Sequence, residues 1–125
     1  MVNLKITSKE KADLILEALC DKKAIDPVII DVRGRTVMTD FFVIATGTSR
    51  IHIRALADAV VEKLSEHRIK NKRMEGEQEG VWMLLDYGDV VVHLLSPEQR
   101  EFYRLEQYWT GAEKGSPPLL NTEED

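Results

Sequence analysis

Three histidines, a single cysteine and a scatter of carboxylates are the side chains from which any site chemistry in this 125-residue chain must come. His52 and His67 fall in one helical pattern but about four turns apart, too far to share a metal ion held between adjacent turns. His93 falls in a strand pattern, with no metal-ligand partner near it in the sequence. Cys20 alone forms no intrachain disulfide and no thiolate zinc cage. A nucleophile elbow of the G-x-S-x-G type is absent. Asp86 and Asp89 flank a turn, where two carboxylates can meet around a cation, although charged residues beside a turn are ordinarily just solvated. Asp31 and Asp40 have no recognised spacing. The residues therefore assign no catalytic group, no metal site and no cofactor.

One turn has the shape of an anion site. A strand, then Thr46-Gly47-Thr48-Ser49, then a helix points helix N-terminal amides outward with a partial positive charge. Against it, the turn holds one glycine and meets neither the dinucleotide nor the Walker pattern. Ordinary helix capping is the default reading of Gly47, Thr48 and Ser49, with anion binding as the alternative. Nucleotidyl transfer would also need a pair of metal-binding carboxylates on a strand soon after the turn, and a helix follows instead.

The elements that position these residues alternate. Thr7 and Glu10 have capping-box spacing, and Ala12, Ile15, Leu16 and Leu19 repeat at helical period, predicting a first helix that ends near Asp21. Val28 to Val32 after Pro27 predicts a strand ended by Gly34. Phe41 to Thr46, apolar in every position but the last, predicts a central strand covered on both faces. Ile53, Leu56, Ala57, Val60 and Leu64 form one stripe of a helix ending around His67. Ile69 to Met74 predicts an edge strand whose Lys70, Lys72 and Arg73 blunt the edge, with RNA contact only incidental. The final helix starts at Ser96-Pro97, with Gln99 completing a capping box, and Gly111 ends it. Its Phe102, Tyr103, Tyr108, Trp109 and Leu105 make a wide apolar side, part core packing and part a surplus that would seal a homodimer. The expectation is one α/β domain, residues 1–111, with a mixed sheet and about three main helices, followed by a flexible acidic tail, 112–125.

Between these helices, Trp82 to Asp86 and Asp89 to Leu95 predict a hairpin around Tyr87-Gly88. That register pairs Asp86 with Asp89, Leu84 with Val91 and Trp82 with His93. Val81, Met83, Leu85, Val90, Val92 and Leu94 then make one wholly apolar face, which must be core. Trp82, Leu84, Asp86, Asp89, Val91 and His93 make the other, an aromatic and aliphatics rimmed by carboxylates. Such a composition fits a partner-binding surface, or else a face that a helix covers.

An apolar fraction of 43% suffices for one core, and a net charge of −5 argues against duplex nucleic acid as the main ligand. Met1 to Thr7 shows no apolar run with a cleavage site, and no window approaches about 18 apolar residues. The expectation is a cytosolic chain, neither exported nor membrane-spanning.

Asp31-Val32-Arg33, then Thr39-Asp40-Phe41-Phe42-Val43-Ile44-Ala45-Thr46-Gly47-Thr48-Ser49 with His52 after it, resemble the ribosomal silencing factor family, also called the Iojap family. The resemblance continues through Glu75-Gly76, Trp82, Asp86-Tyr87-Gly88-Asp89-Val90-Val91-Val92-His93, Arg100, Phe102-Tyr103, Leu105-Glu106 and Trp109, and so covers nearly the whole chain except the tail. Tyr108 departs from it, where an aliphatic residue is expected. The resemblance implies a nucleotidyltransferase-like fold without transferase activity. It also implies binding to the large ribosomal subunit through ribosomal protein fourteen, with incidental ribosomal RNA contact, so that the small subunit cannot join and translation is repressed when nutrients are scarce.

Overall fold

The computed structural model describes residues 6–109. The expected helix stop at Gly111 and the tail lie outside the described residues. The elements run α1 (Ser8–Asp21), β1 (Ile25–Asp31), β2 (Phe41–Thr46), α2 (Arg50–Glu66), β3 (Arg73–Glu75), β4 (Trp82–Asp86), β5 (Val90–Leu95), α3 (Pro97–Tyr103) and α4 (Leu105–Trp109). Their strands form one mixed sheet in the order β1-β2-β5-β4-β3, with β2 and β5 parallel and the other neighbours antiparallel. An α/β architecture thus holds, with two long helices and two short ones.

Local signals fix the two long helices. The Thr7 hydroxyl accepts from the Glu10 N–H at 3.0 Å while the Glu10 carboxylate accepts from the Thr7 N–H at 2.9 Å, which closes the capping box that starts α1. Ser49 starts α2 by accepting from the His52 N–H. Ala12, Ile15, Leu19, Ile53, Leu56, Val60 and Leu64 lie at helical spacing and are fully buried against Phe41, Val43, Met83, Leu85, Val92 and Leu94 of the sheet. Each Ile, Leu and Val among them contributes about 1.5–3 kcal/mol on burial, so this face is the main core.

Both long helices stop on a left-handed residue that is not glycine, Lys23 (φ 62°) and Arg68 (φ 63°). The next amide bonds back in each case, Ala24 N–H to the Leu19 carbonyl and Ile69 N–H to the Leu64 carbonyl. A side chain in this conformation costs about 1 kcal/mol that glycine avoids. Lys23→Gly is therefore expected to stabilise the chain by about 0.5 kcal/mol or more, read as a higher urea midpoint at unchanged slope.

Four sequence expectations are corrected. β1 begins at Ile25, before Pro27, because it is an edge strand in which a missing N–H is tolerated; its pairing with β2 is irregular between Ile25 and Val28, where Asp26 has φ 48°. β3 spans Arg73–Glu75 rather than 69–74, since Ile69 is used to close α2. The sheet's centre is β5, and β2 is the interior strand beside it, buried at all six positions. The final helix breaks at Arg104 (φ 48°), which lets Arg100 bond Glu106 at 2.7 Å. In one straight helix, residues six apart face different sides, and that pair would not meet.

Candidate partner-docking face

The hairpin is set by Gly88, whose φ of 90° suits the first residue of a two-residue turn. The turn is Gly88-Asp89, with the Tyr87 N–H donating to the Val90 carbonyl at 2.9 Å. Asp86 therefore pairs with Val91, Leu84 with His93 and Trp82 with Leu95. This is a slip of two from the sequence-derived register, and a slip of two preserves the faces. Met83, Leu85, Val90, Val92 and Leu94 are all fully buried on the helix side, as expected of core, whereas Val81 stands just before β4 and is only half-buried.

On the opposite side, the second-face residues split by environment. Leu105 of α4 packs with Ile30, Val32, Phe42, Ile44 and Leu95 in a second, smaller core. Arg100, with only 13% of its side chain exposed, joins α3 to α4 through Glu106 and ties the pair to the sheet through the Ile25 carbonyl and Thr46. A helix thus covers the β1–β2 end of this face. At the β4 end, Trp82, Leu84, Asp86 and Val91 remain half-buried.

The half-covered end is organised by aromatic rings. Phe102 is 75% exposed and meets Tyr103 edge-on at 4.8 Å, Tyr103 packs on Trp82 at 4.7 Å, and the Trp82 indole N–H donates to His93 Nδ1 at 3.1 Å. Phe42 meets the His93 ring edge-on at 5.1 Å. Residues far apart in sequence thus form one run of rings from the surface into the second core. Sequence reasoning assigned the α3 aromatics to core packing and self-association, and missed that Phe102 extends the Trp82 face. The amphipathic spacing of α3 held no signal for it, because the break at Arg104 sets how α3 sits.

Two members of the sequence-derived set have other roles. His93 is 2% exposed, so it supports Trp82 from beneath rather than touching a partner. Asp89 is turned toward α1, where the Lys11 ammonium meets it at 2.6 Å. Asp86 accepts from the Gly88 N–H at 2.8 Å and faces Arg73 at 3.4 Å. Neither carboxylate is a free charge for steering a basic partner, and the two do not converge on a cation. Among the described residues no group of three or more His, Cys, Asp or Glu side chains is placed to hold a metal.

Other sequence candidates are absorbed by the fold. The Gly47 N–H donates to the Leu95 carbonyl, the Thr48 N–H to His52 Nδ1 at 2.9 Å, and His52 Nε2–H to the Lys22 carbonyl at 2.9 Å. A Cβ on Gly47 would collide with Ile53, so the glycine allows α2 to close on β2. Helix capping and packing account for this turn, and a phosphate would have to displace bonds already made. Asp31 accepts three bonds from Arg33, which hold its carboxyl down to about 2 and leave it no basicity to use. Burial pushes the Tyr87 phenol up to about 12, so it stays protonated.

Burial pushes the His93 imidazole down to about 4 from its ordinary 6.5. Between those two values the unfolded chain takes up a proton at this position and the folded chain does not. Stability conferred by His93 is thus complete above pH 6.5 and lost as pH falls toward 4, by about 3 kcal/mol in total. Urea unfolding at stepped pH should show this loss, and His93→Asn should remove that share of the slope. Equal slopes in parent and variant would show that other groups control the acid limb.

A buried framework carrying one half-covered aromatic face makes this an α/β domain with a candidate docking face. The comparisons give the class a family. Residues 5–125 match the family model "Ribosomal silencing factor during starvation". The chain is 38% identical over 108 residues to "Ribosomal silencing factor RsfS" of Bacillus subtilis, covering 86% of this chain and 87% of that one. It is 33% identical over 108 residues to "Mitochondrial assembly of ribosomal large subunit protein 1" of mouse, covering 84% of this chain and 47% of the mouse protein. A crystal structure of a Chromobacterium violaceum protein superposes with a TM-score of 0.82 at 37% identity, covering 89% of this chain and 92% of that one. The chain belongs to the ribosomal silencing factor family, in agreement with the resemblance of its motifs. No helix among the described residues is long and apolar enough to cross a membrane.

Proposed function

We propose that this chain silences translation in the cytosol by binding the large ribosomal subunit through ribosomal protein fourteen, obstructing the small subunit when nutrients are scarce. The observation that carries the reading is the aromatic face, Phe102, Tyr103 and Trp82 with Leu84 and Val91 beside them, in a chain of this family. Obstruction requires no reaction, only a complex that lasts, and a rigid aromatic cluster surrounded by aliphatics is the usual composition of an energetic hot spot. Asp86 stays at the rim with Arg73, where a paired charge adds specificity rather than affinity. A second copy of the chain that used Phe102 would compete with the ribosome for this face.

A second reading, an adaptor for assembly of the large subunit, is favoured by the mouse relative, whose name refers to assembly. Sedimentation with separated subunits, combined with light scattering of subunit joining, distinguishes them. Silencing requires co-sedimentation with large subunits only and slower joining. Binding without slower joining favours assembly, and no binding removes both.

A further inference from the structure

We propose that His93 is a positioning residue of the docking face: its buried imidazole accepts the Trp82 indole N–H and so fixes the orientation in which Trp82 and the adjoining Tyr103 and Phe102 meet a partner. The inference rests on the reading of Trp82 as part of that face. β5 is otherwise aliphatic, Val90, Val91, Val92, Leu94 and Leu95, and places one polar side chain in a buried position where an apolar one would pack more cheaply. What that side chain does there is bond Trp82, at 3.1 Å across the β4–β5 ladder. Nδ1 accepts only while it carries no proton, so the neutral tautomer with its hydrogen on Nε2 is the working form. Burial keeps that form in place.

The rings on either side leave little freedom. Phe42 meets the imidazole edge-on at 5.1 Å, and Tyr103 packs on the indole at 4.7 Å. Trp82 is therefore held by its N–H and by the tilted Tyr103 ring against its indole, and an anchor already in its bound orientation loses less entropy on association. With 2% exposure, His93 gains nothing from direct contact with a partner.

The test uses the full chain with Trp109→Phe, which leaves Trp82 as the one tryptophan. Near-UV circular dichroism reads the orientation of its indole, and sedimentation with large ribosomal subunits reads binding. His93→Leu fills the space without an acceptor, whereas His93→Asn returns a side-chain oxygen close to where Nδ1 stands. His93→Leu should unfold cooperatively, lose the Trp82 band and bind roughly tenfold more weakly, and His93→Asn should restore both. A folded His93→Leu chain that binds within about twofold of its parent overturns the proposal. Trp82→Ala is run alongside: if it too binds normally, the docking-face reading fails and this inference fails with it; if only Trp82→Ala binds weakly, this inference alone is lost. Should His93→Leu not fold, the indole N–H resonance of the parent decides. A resonance protected from solvent exchange supports the bond, and one exchanging like a free indole overturns it.

Discussion

Trp82→Ala is expected to weaken binding to ribosomal protein fourteen by about 2 kcal/mol or more, close to thirtyfold, the size typical of an aromatic hot spot. Trp82 is half-buried, bonded to His93 and packed on Tyr103, so its truncation also costs stability. That loss should stay below the roughly 3 to 5 kcal/mol of a fully buried tryptophan, because part of the ring faces solvent. Calorimetric affinity and thermal unfolding on the same variant separate the two effects. Phe102→Ala sharpens the comparison: at 75% exposure its ring contributes little to folding, so its loss should appear in binding with the melting temperature nearly unchanged. Normal affinity in both variants beside a lowered melting temperature for Trp82→Ala would make the ring cluster a packing device and move the interface elsewhere.

Gly76→Ala is expected to destabilise the chain by about 3 kcal/mol, a large loss for one methyl group. Gly76 has φ 88°, and a Cβ there would overlap the Trp82 carbonyl oxygen, with the Met83 Cα at 3.2 Å. The obstacle is backbone on an adjacent strand, so no side-chain rotation relieves it. The Gly76 carbonyl also accepts from the Gly80 N–H at 3.0 Å, so the whole 76–80 turn is tied to this point. Urea unfolding gives the size of the loss, and hydrogen exchange should show β3 and β4 amides opening first. A loss under about 1 kcal/mol would mean that the 76–80 turn moves away freely.

The two hairpin carboxylates are placed by partners that lie far away in the sequence. Asp86 and Asp89 are adjacent to one turn, and composition alone makes them look like a charged rim. Their partners, Arg73 and Lys11, stand 13 and 78 positions away along the chain, and no local pattern announces either pair. Lys11 pairs with Asp89, while Arg73 is shared between Asp86 and Glu75, so both carboxylates already have a cation of the same chain beside them.

What the sequence determined by itself is what a few neighbouring residues decide: the capping of α1 and α2, the six-residue run of β2, the sorting of the hairpin into a core face and a mixed face, and the family motifs. Caps and periodicities act within one or two turns of chain, so they survive without knowledge of the fold. Tertiary structure decided the rest. A two-residue slip in the hairpin leaves every face unchanged, so alternation could not choose the register, and the left-handed conformation that Gly88 supplies did. The burial of Leu105 and the exposure of Phe102 depend on how the α3–α4 pair sits, which Arg100 sets by reaching Ile25 and Thr46 of the sheet. Such contacts join residues distant in sequence, and their free energy exists only once the sheet has brought them together.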